Sequence, residues 1–350
     1  MKAVKEKVLV GLSGGVDSAV CLYLLKKQGY SPIGVFLDFS QCSNQEQKES
    51  VKRICSLLSV PYFIHKCSGE FKNIVLKYFK DSYRKGHTPN PCVFCNRYFK
   101  FELLSTLASQ RKIKYIATGH YVRLKKGRKV NKILIAKDKA KDQSYFLCLL
   151  NQKLLKRAIF PLGNLKKEQV KDIAKKIGFL KKDYKESQNL CLLGEKLISH
   201  YLSLVLGEKP GNIVNEKGEV LGSHKGLHFY TLGQRKGIHL SKGPFWVVGF
   251  DYKNNNLIVS KNKNLLFKKE VIVSPYNFIF FKKFPRKKFI QVKAKLRSQS
   301  ALSLANLYFL SKKELKLVFK NPQKAPTPGQ FAVFYKNNLC LGGGVIFSAH

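Results

Sequence analysis

An apolar strand that runs straight into two adjacent glycines and then into an amphipathic helix leaves a chain few folds to choose from. Here Val8 to Leu12 is the strand, Ser13-Gly14-Gly15-Val16-Asp17-Ser18 the turn, and Ala19 to Gln28 the amphipathic run. Gly14 and Gly15 let the backbone turn tightly and approach a ligand closely. Asp17 and Ser18 stand where a helix N-terminus presents free N–H groups and the positive end of its dipole. The segment is an anion cradle, and the expected anion is a phosphate chain. It lacks the Gly-Lys-Ser/Thr ending of a Walker A loop, which disfavours an ordinary P-loop NTPase. The plainer alternative is a glycine turn that binds nothing.

The rest of the first half repeats the alternation. Lys7 to Leu12 reads as a strand, Asp17 to Gln28 as a helix closed by Gly29, Ile33 to Leu37 as a buried strand, and Gln45 to Leu58 as a helix. Pro61 to His65 reads as extended, Phe71 to Arg84 and Arg97 to Gln110 as helices, and Tyr115 to Thr118 as a strand. Such a pattern implies an α/β fold with a doubly wound parallel sheet, whose ligands bind beyond the carboxyl ends of the strands. Ser13 and Gly119-His120 both fall at such ends, so one shared site is expected. Lys141 to Gly194 reads as mainly helical and basic. From about Leu206 the texture changes to short runs between Gly and Asn turns, such as Trp246 to Phe250 and Leu257 to Ser260. Glu270 to Phe347 reads as a compact β-barrel or sandwich. The expected division is a parallel-sheet catalytic domain over 1–200, a small β-rich domain over 201–268 and a C-terminal β-barrel over 269–350.

A chain of 350 residues exceeds one hydrophobic core, and 44% apolar residues argue against disorder. The charged start, Met1 to Lys7, is unlike an export signal, and no apolar run is long enough to span a bilayer. A cytoplasmic, soluble protein with no membrane partner is expected. Lys and Arg total 65 against 21 acids, a formal charge of +44. Such a charge attracts polyanions, and nucleic acid above all. Compositional drift would also produce lysines spread along the chain, such as Lys182, Lys253 and Lys312, so the decision falls to the motifs. Nine cysteines, an odd count, point to thiols, metal ligands or redox chemistry and not to a disulfide framework.

Cys92-Val93-Phe94-Cys95 lies between a Gly/Pro/Asn loop, Gly86 to Pro91, and a helix. A cysteine just ahead of a helix has its thiolate favoured by the dipole. A lone Cys-x-x-Cys fits half a zinc site or a dithiol, but no second pair follows at zinc-finger spacing. Cys191 follows the polar loop Lys185 to Asn189. Cys21, Cys55 and Cys148 sit in apolar helical settings, where burial accounts for them.

Several motifs occur in order: Gly11-Leu-Ser-Gly-Gly-Val-Asp-Ser18, Thr88-Pro-Asn-Pro91 with Cys95-Asn96, Ala117-Thr-Gly-His-Tyr121, and Lys141-Asp-Gln-Ser-Tyr-Phe146. Cys191 with Gly194-Glu195, Thr231-Leu-Gly-Gln-Arg-Lys-Gly237 and Thr327-Pro-Gly-Gln330 complete the set. Together they resemble the bacterial tRNA-specific 2-thiouridylases, a family of PP-loop ATP pyrophosphatases, over essentially the whole chain. The resemblance implies ATP-dependent thiolation of the wobble uridine, U34, with Mg2+. ATP would lie on Gly11, Leu12, Ser13, Gly14, Gly15, Val16, Asp17, Ser18, Leu37 and Gly119. Cys191 would carry a persulfide, and Cys95 would be the nucleophile that releases its sulfur and closes a transient Cys95–Cys191 disulfide. Asn90, Pro91 and Cys92 would surround the target base. His120, Lys141, Asp142, Gln143, Arg297, Ser298 and Gln330 would contact tRNA.

The implied partners are the glutamate, glutamine and lysine tRNAs and a sulfur-relay protein or cysteine desulfurase, with the enzyme a monomer. One departure matters: many members carry Asp where this chain has Cys92. Cys92, Cys95 and Cys191 could instead ligate a [4Fe–4S] cluster with one open iron, the alternative to the persulfide route. Two rival functions remain, a small-molecule adenylating ligase and a noncatalytic RNA-binding protein.

Overall fold

The structure is a computed structural model and describes residues 5–39, 45–180, 195–280 and 289–350. Its first unit is built on strands β1 (Lys7–Leu12), β2 (Ser31–Asp38), β3 (Tyr62–Lys66) and β4 (Tyr115–Thr118), with a short strand Ala158–Ile159 at one edge. All pair in parallel, in the order β3-β2-β1-β4-(158–159). The chain leaves β1 towards β2 and β3 on one side, while β4 lies on the other. The order reverses between β1 and β4, and their carboxyl ends meet where Gly11 pairs with Thr118. Helix α1 (Val16–Lys27) buries Ala19, Val20, Leu22 and Leu25 against the sheet together with Val8, Val10 and Phe36. Helix α2 (Gln45–Leu57) adds Val51, Ile54 and Cys55 to the same core. The opposite face of the sheet is covered by a helical run in three segments, Pro91–Cys95, a π turn Asn96–Lys100, and Phe101–Gln110.

The central unit is a four-stranded sheet in the order 246–251, 256–260, 211–214, 220–224, packed around Ile213, Ile238, Val247, Leu257 and Val259. In the third unit six described strands close into a barrel, because Phe267–Phe278 pairs with both Leu315–Lys324 and Leu339–Ala349. The α/β class with two following β-rich units therefore stands as read from the sequence. No helix among the described residues is long and apolar enough to cross a membrane.

The sequence reading differs from the structure in several places. Lys141 to Gly194 is less helical than expected: its described part holds the helices Gln152–Arg157 and Lys167–Lys176, two 3-10 turns, and the strand Ala158–Ile159. A two-residue strand is too short to leave a period. The junction expected at 200/201 falls inside the helix Glu195–Leu206, and that at 268/269 inside the strand Phe267–Phe278. The first and third units also share material. A hairpin, Arg123–Lys125 with Lys132–Leu134, pairs through Ile133 and Leu134 with Cys340 and Leu339 and extends the barrel sheet. Phe331, Val333, Tyr335 and Cys340 of the barrel bury with Leu147, Leu150 and Ile133 in one continuous core. Composition changes along the chain cannot reveal a seam that is made by packing.

Candidate active site

A cleft of about 290 Å3 opens at the carboxyl ends of β1 and β4, where the strand order reverses. Gly11, Leu12, Ser13, Asp17 and Ser18 form one wall, Thr118, Gly119 and His120 another. Phe36, Leu37, Phe39, Phe101 and Leu104 make the rest of the lining largely apolar. One end thus suits a flat ring, and the other offers backbone N–H groups and hydroxyls. Gly14 has φ +78°, and a Cβ there would lie 2.8 Å from the Gln47 carbonyl oxygen. A Cβ on Gly119 would lie 2.8 Å from the Asp17 carbonyl carbon and 2.9 Å from the Ser18 nitrogen. Glycine at both places lets α2 and the end of β4 close on the turn. The amides of Val16, Asp17 and Ser18 open α1 and lack partners four residues back within it.

Local hydrogen bonds hold this cradle in shape. Ser18 Oγ donates to Gly15 O at 2.9 Å and accepts from Ser13 N at 3.2 Å. Ser50 Oγ of α2 donates to Gly14 O at 2.7 Å. Asp17 Oδ1 accepts from Tyr121 Oη at 2.7 Å and from Lys167 Nζ at 2.6 Å. Neither Tyr121 nor Lys167 was assigned a role from the sequence. Tyr121 closes the motif that begins at Ala117, but Lys167 is one lysine among many in a strongly basic chain, with nothing local to distinguish it.

The expected ATP residues thus gather at one place, Gly14, Gly15 and Val16 on the turn itself and Leu37 at the end of β2. A triphosphate suits the cradle by its chemistry: the first amides of α1 and the hydroxyls of Ser13 and Ser18 stand at one end of the cleft. Asp17 is the carboxylate nearest to hand for Mg2+.

His120 also lines the cleft, its Nδ1 hydrogen-bonded to Thr118 Oγ1 at 2.8 Å. Burial, with the Lys100 ammonium nearby, pushes its pKa down to about 3, so the ring is neutral at ordinary pH. Gln143 Oε1 accepts from Tyr121 N at 2.8 Å and completes the lining.

Other residues expected to touch RNA have internal partners. Asn90 caps the helix Pro91–Cys95: its Oδ1 accepts from Val93 N at 3.3 Å, and Pro91 takes the first helical position. Asp142 accepts from Ala136 N, Ser144 N and Ser144 Oγ, the last at 2.6 Å. Arg297 donates from one nitrogen to Leu232 O, Ala325 O and Thr327 Oγ1. Gln330 Nε2 donates to Thr88 O at 2.9 Å and Pro89 O at 3.4 Å, tying the barrel to the loop before Cys92. Ser298 is half-buried in the turn beside Arg297, and Lys141 is half-buried at the mouth of the Asp142 turn.

The sequence reading put both cysteines of the Cys-x-x-Cys just ahead of a helix. In the structure the helix starts at Pro91, so Cys92 lies in its first turn and Cys95 one turn in. Cys95 is only 2% exposed and packs with Phe99, Leu104 and Leu37 in the core; Cys92 is partly exposed. Five residues, those of the π turn, lie between Cys95 and Phe101 in the cleft wall. Cys191 lies outside the described residues, so its distance from Cys95 is not described. Among the described residues no three His, Cys, Asp or Glu side chains form a metal-binding group. Cys21, Cys55 and Cys148 are buried as expected, although Cys148 lies just past a 3-10 turn and not in a helix. Burial pushes the Cys55 thiol up to about 11.

Residues 6–195 match a family model described as tRNA methyl transferase HUP domain. Residues 199–261 match a tRNA methyl transferase PRC-barrel domain, and 268–346 an aminomethyltransferase beta-barrel domain. A tRNA-specific 2-thiouridylase MnmA 1 of Geobacillus kaustophilus is 39% identical over 98% of this chain and 95% of its own length. A tRNA-specific 2-thiouridylase MnmA of Clostridium botulinum is 37% identical over 99% of both chains. Among solved structures, a 4-thiouridine synthetase–RNA complex is similar over 50% of this chain and 41% of that chain, at 20% identity and a TM-score of 0.38. That last likeness is too slight to build on.

Proposed function

Since the chain belongs to the tRNA-specific 2-thiouridylase family, we propose that it thiolates the wobble uridine of tRNA at C2, consuming ATP. The uracil O2 attacks the α-phosphorus of ATP and pyrophosphate leaves, which turns a poor leaving group into AMP. A persulfide on Cys191 then supplies the sulfur that bonds to C2, and AMP departs. Cys95 attacks the Cys191 sulfur bridge, frees the transferred sulfur and leaves a Cys95–Cys191 disulfide for reduction. Mg2+ near Asp17 would offset the phosphate charge.

One observation carries this reading. The helical run that begins at the Cys-x-x-Cys continues into the cleft wall at Lys100, Phe101 and Leu104. The candidate nucleophile thus lies on the same helical run as three residues of the cleft wall that faces the nucleotide cradle. The family models speak of methyl transfer, but a glycine cradle beside a cysteine helix suits adenylation followed by sulfur transfer. The burial of Cys95 fits a thiol shielded until tRNA engages the loop ahead of it. The sulfur donor, the glutamate, glutamine and lysine tRNA targets, the monomeric state and the cytoplasmic setting follow the family reading. A [4Fe–4S] cluster on Cys92, Cys95 and Cys191 is the competing sulfur chemistry, supported by the unusual Cys92.

The test supplies purified protein with unmodified tRNA, ATP, Mg2+ and a persulfide donor, then digests the tRNA and looks for 2-thiouridine. Product is expected from the wild type, and none from Cys95→Ser or Cys191→Ser. Thiolation by either variant would remove that cysteine from the mechanism. Iron and sulfide analysis of anaerobically purified protein decides between cluster and persulfide. Turnover of a small metabolite, with indifference to tRNA, would favour the ligase reading.

A further inference from the structure

Lys167 begins the helix Lys167–Lys176, whose Val170 and Ala174 pack into the core shared with α1. Its backbone N–H donates to Asp138 Oδ2 at 2.9 Å, which fixes where its side chain starts. From there the ammonium reaches Asp17 Oδ1 at 2.6 Å. The Lys167 side chain is only 8% exposed, against 37% for Asp17. Asp17 faces the cleft, and Lys167 stands behind it, 5.6 Å from the centre of the Tyr121 ring. Tyr121 Oη adds a second donor to the same carboxylate oxygen, and the Tyr121 N–H is in turn held by Gln143.

A carboxylate at the entrance of an anion cradle is an electrostatic contradiction. Where no cation offsets its charge, it repels the polyphosphate that the glycine turn and the α1 dipole attract. A buried ammonium in contact with it cancels most of that repulsion, and two donors on one oxygen stop the carboxylate from swinging. We propose that Lys167 is a positioning residue for ATP: it acts through Asp17, neutralising and orienting that carboxylate so that the triphosphate enters the cradle. The proposal rests on the reading that the cradle binds ATP, and it adds the residue on which that binding depends. Tyr121 supports the same carboxylate without charge and contributes less.

The experiment uses the full chain and follows MgATP binding by the shift of its thermal midpoint, with pyrophosphate release in the presence of tRNA as the rate. Lys167→Met is expected to weaken MgATP binding about tenfold or more, because the Asp17 charge then faces the phosphates with only the uncharged Tyr121 hydroxyl on it. At saturating ATP the rate should fall by less than about threefold, the pattern of lost ground-state binding. Lys167→Arg, which keeps the charge, should recover most of the affinity. In an Asp17→Asn background Lys167→Met should cost less than about a further twofold, since the two residues act as one unit. A purely structural lysine would lower stability without this split or this coupling. If Lys167→Met does not fold, the Lys167→Arg and Asp17→Asn/Lys167→Met variants decide the matter: near-wild-type affinity in the first and no loss beyond Asp17→Asn in the second are expected. Unchanged affinity in a folded Lys167→Met, or losses that multiply with Asp17→Asn, would overturn the proposal. Wild-type protein that fails to bind MgATP at all would instead overturn the reading beneath it.

Discussion

At the glycine cradle, polar groups from β1, α1 and the end of β4 converge on a cleft. At the seam between the first unit and the barrel, polar groups point at one another. Gln330 binds carbonyls at 88 and 89, and Tyr145 Oη donates to Phe331 O at 2.9 Å; Arg297, in the same way, joins the barrel to the central unit through carbonyls at 325 and 232. Both regions carry residues that the family resemblance assigns to ligands, yet only the cradle leaves them facing space. A motif residue can therefore serve function in two ways, by touching a substrate or by holding the part that does. Gln330 holds the loop Thr88 to Pro91, from which the cysteine helix begins.

The strongest way to break this contrast is Gly119→Ala. Its methyl would meet α1 backbone at 2.8 Å, and the neighbours are main-chain atoms that cannot swing aside. Loss of MgATP binding is expected, with a stability cost of about 1–3 kcal/mol; equilibrium unfolding and nucleotide titration measure the two. Arg297→Met comes next. It preserves volume but leaves buried carbonyls without their donor, at about 1–3 kcal/mol. Unchanged stability, with a tRNA-binding salt slope reduced by about one, would show a phosphate contact in place of a brace.

Gln330→Ala should be milder, about 1 kcal/mol for its bonds to Thr88 and Pro89. Thiolation should fall several-fold while MgATP affinity holds. Equal losses in both would mean that the seam and the cradle are not separable. His120→Asn should do least near neutral pH, where the native imidazole is already neutral. The folded-state pKa, about 3, lies below the ordinary 6.5, so in acid the unfolded chain takes up a proton that the native state refuses. Stability from this group is complete above pH 6.5 and declines as pH falls towards 3, by at most about 1.4 kcal/mol per pH unit. The difference between wild-type and His120→Asn unfolding energies over that window isolates it, and parallel curves would contradict the shift.

The cradle was legible because its physics is local. Glycines at 14 and 15 and an apolar run before them specify strand and turn locally, and the run behind them is a helix as expected, although it is buried over most of its length and not amphipathic. Strand Tyr115–Thr118 was read correctly for the same reason, and the alternation of periods predicted the parallel sheet. The seam was illegible because its partners are far apart in sequence, Gln330 and Thr88 by 242 positions, and a separation of 150 positions likewise hid the Lys167 partner of the cradle's Asp17.

What the chain itself determined is the set of local conformations and, through charge and motif order, the kind of ligand the first unit is made to meet. Tertiary structure alone decided that Asp17 is paired with Lys167 and that Cys95 lies buried in the core. It also decided that a hairpin of the first unit completes the sheet of the third. Backbone preference acts over a few residues, whereas burial and hydrogen bonding select partners by distance in space, which sequence spacing does not encode.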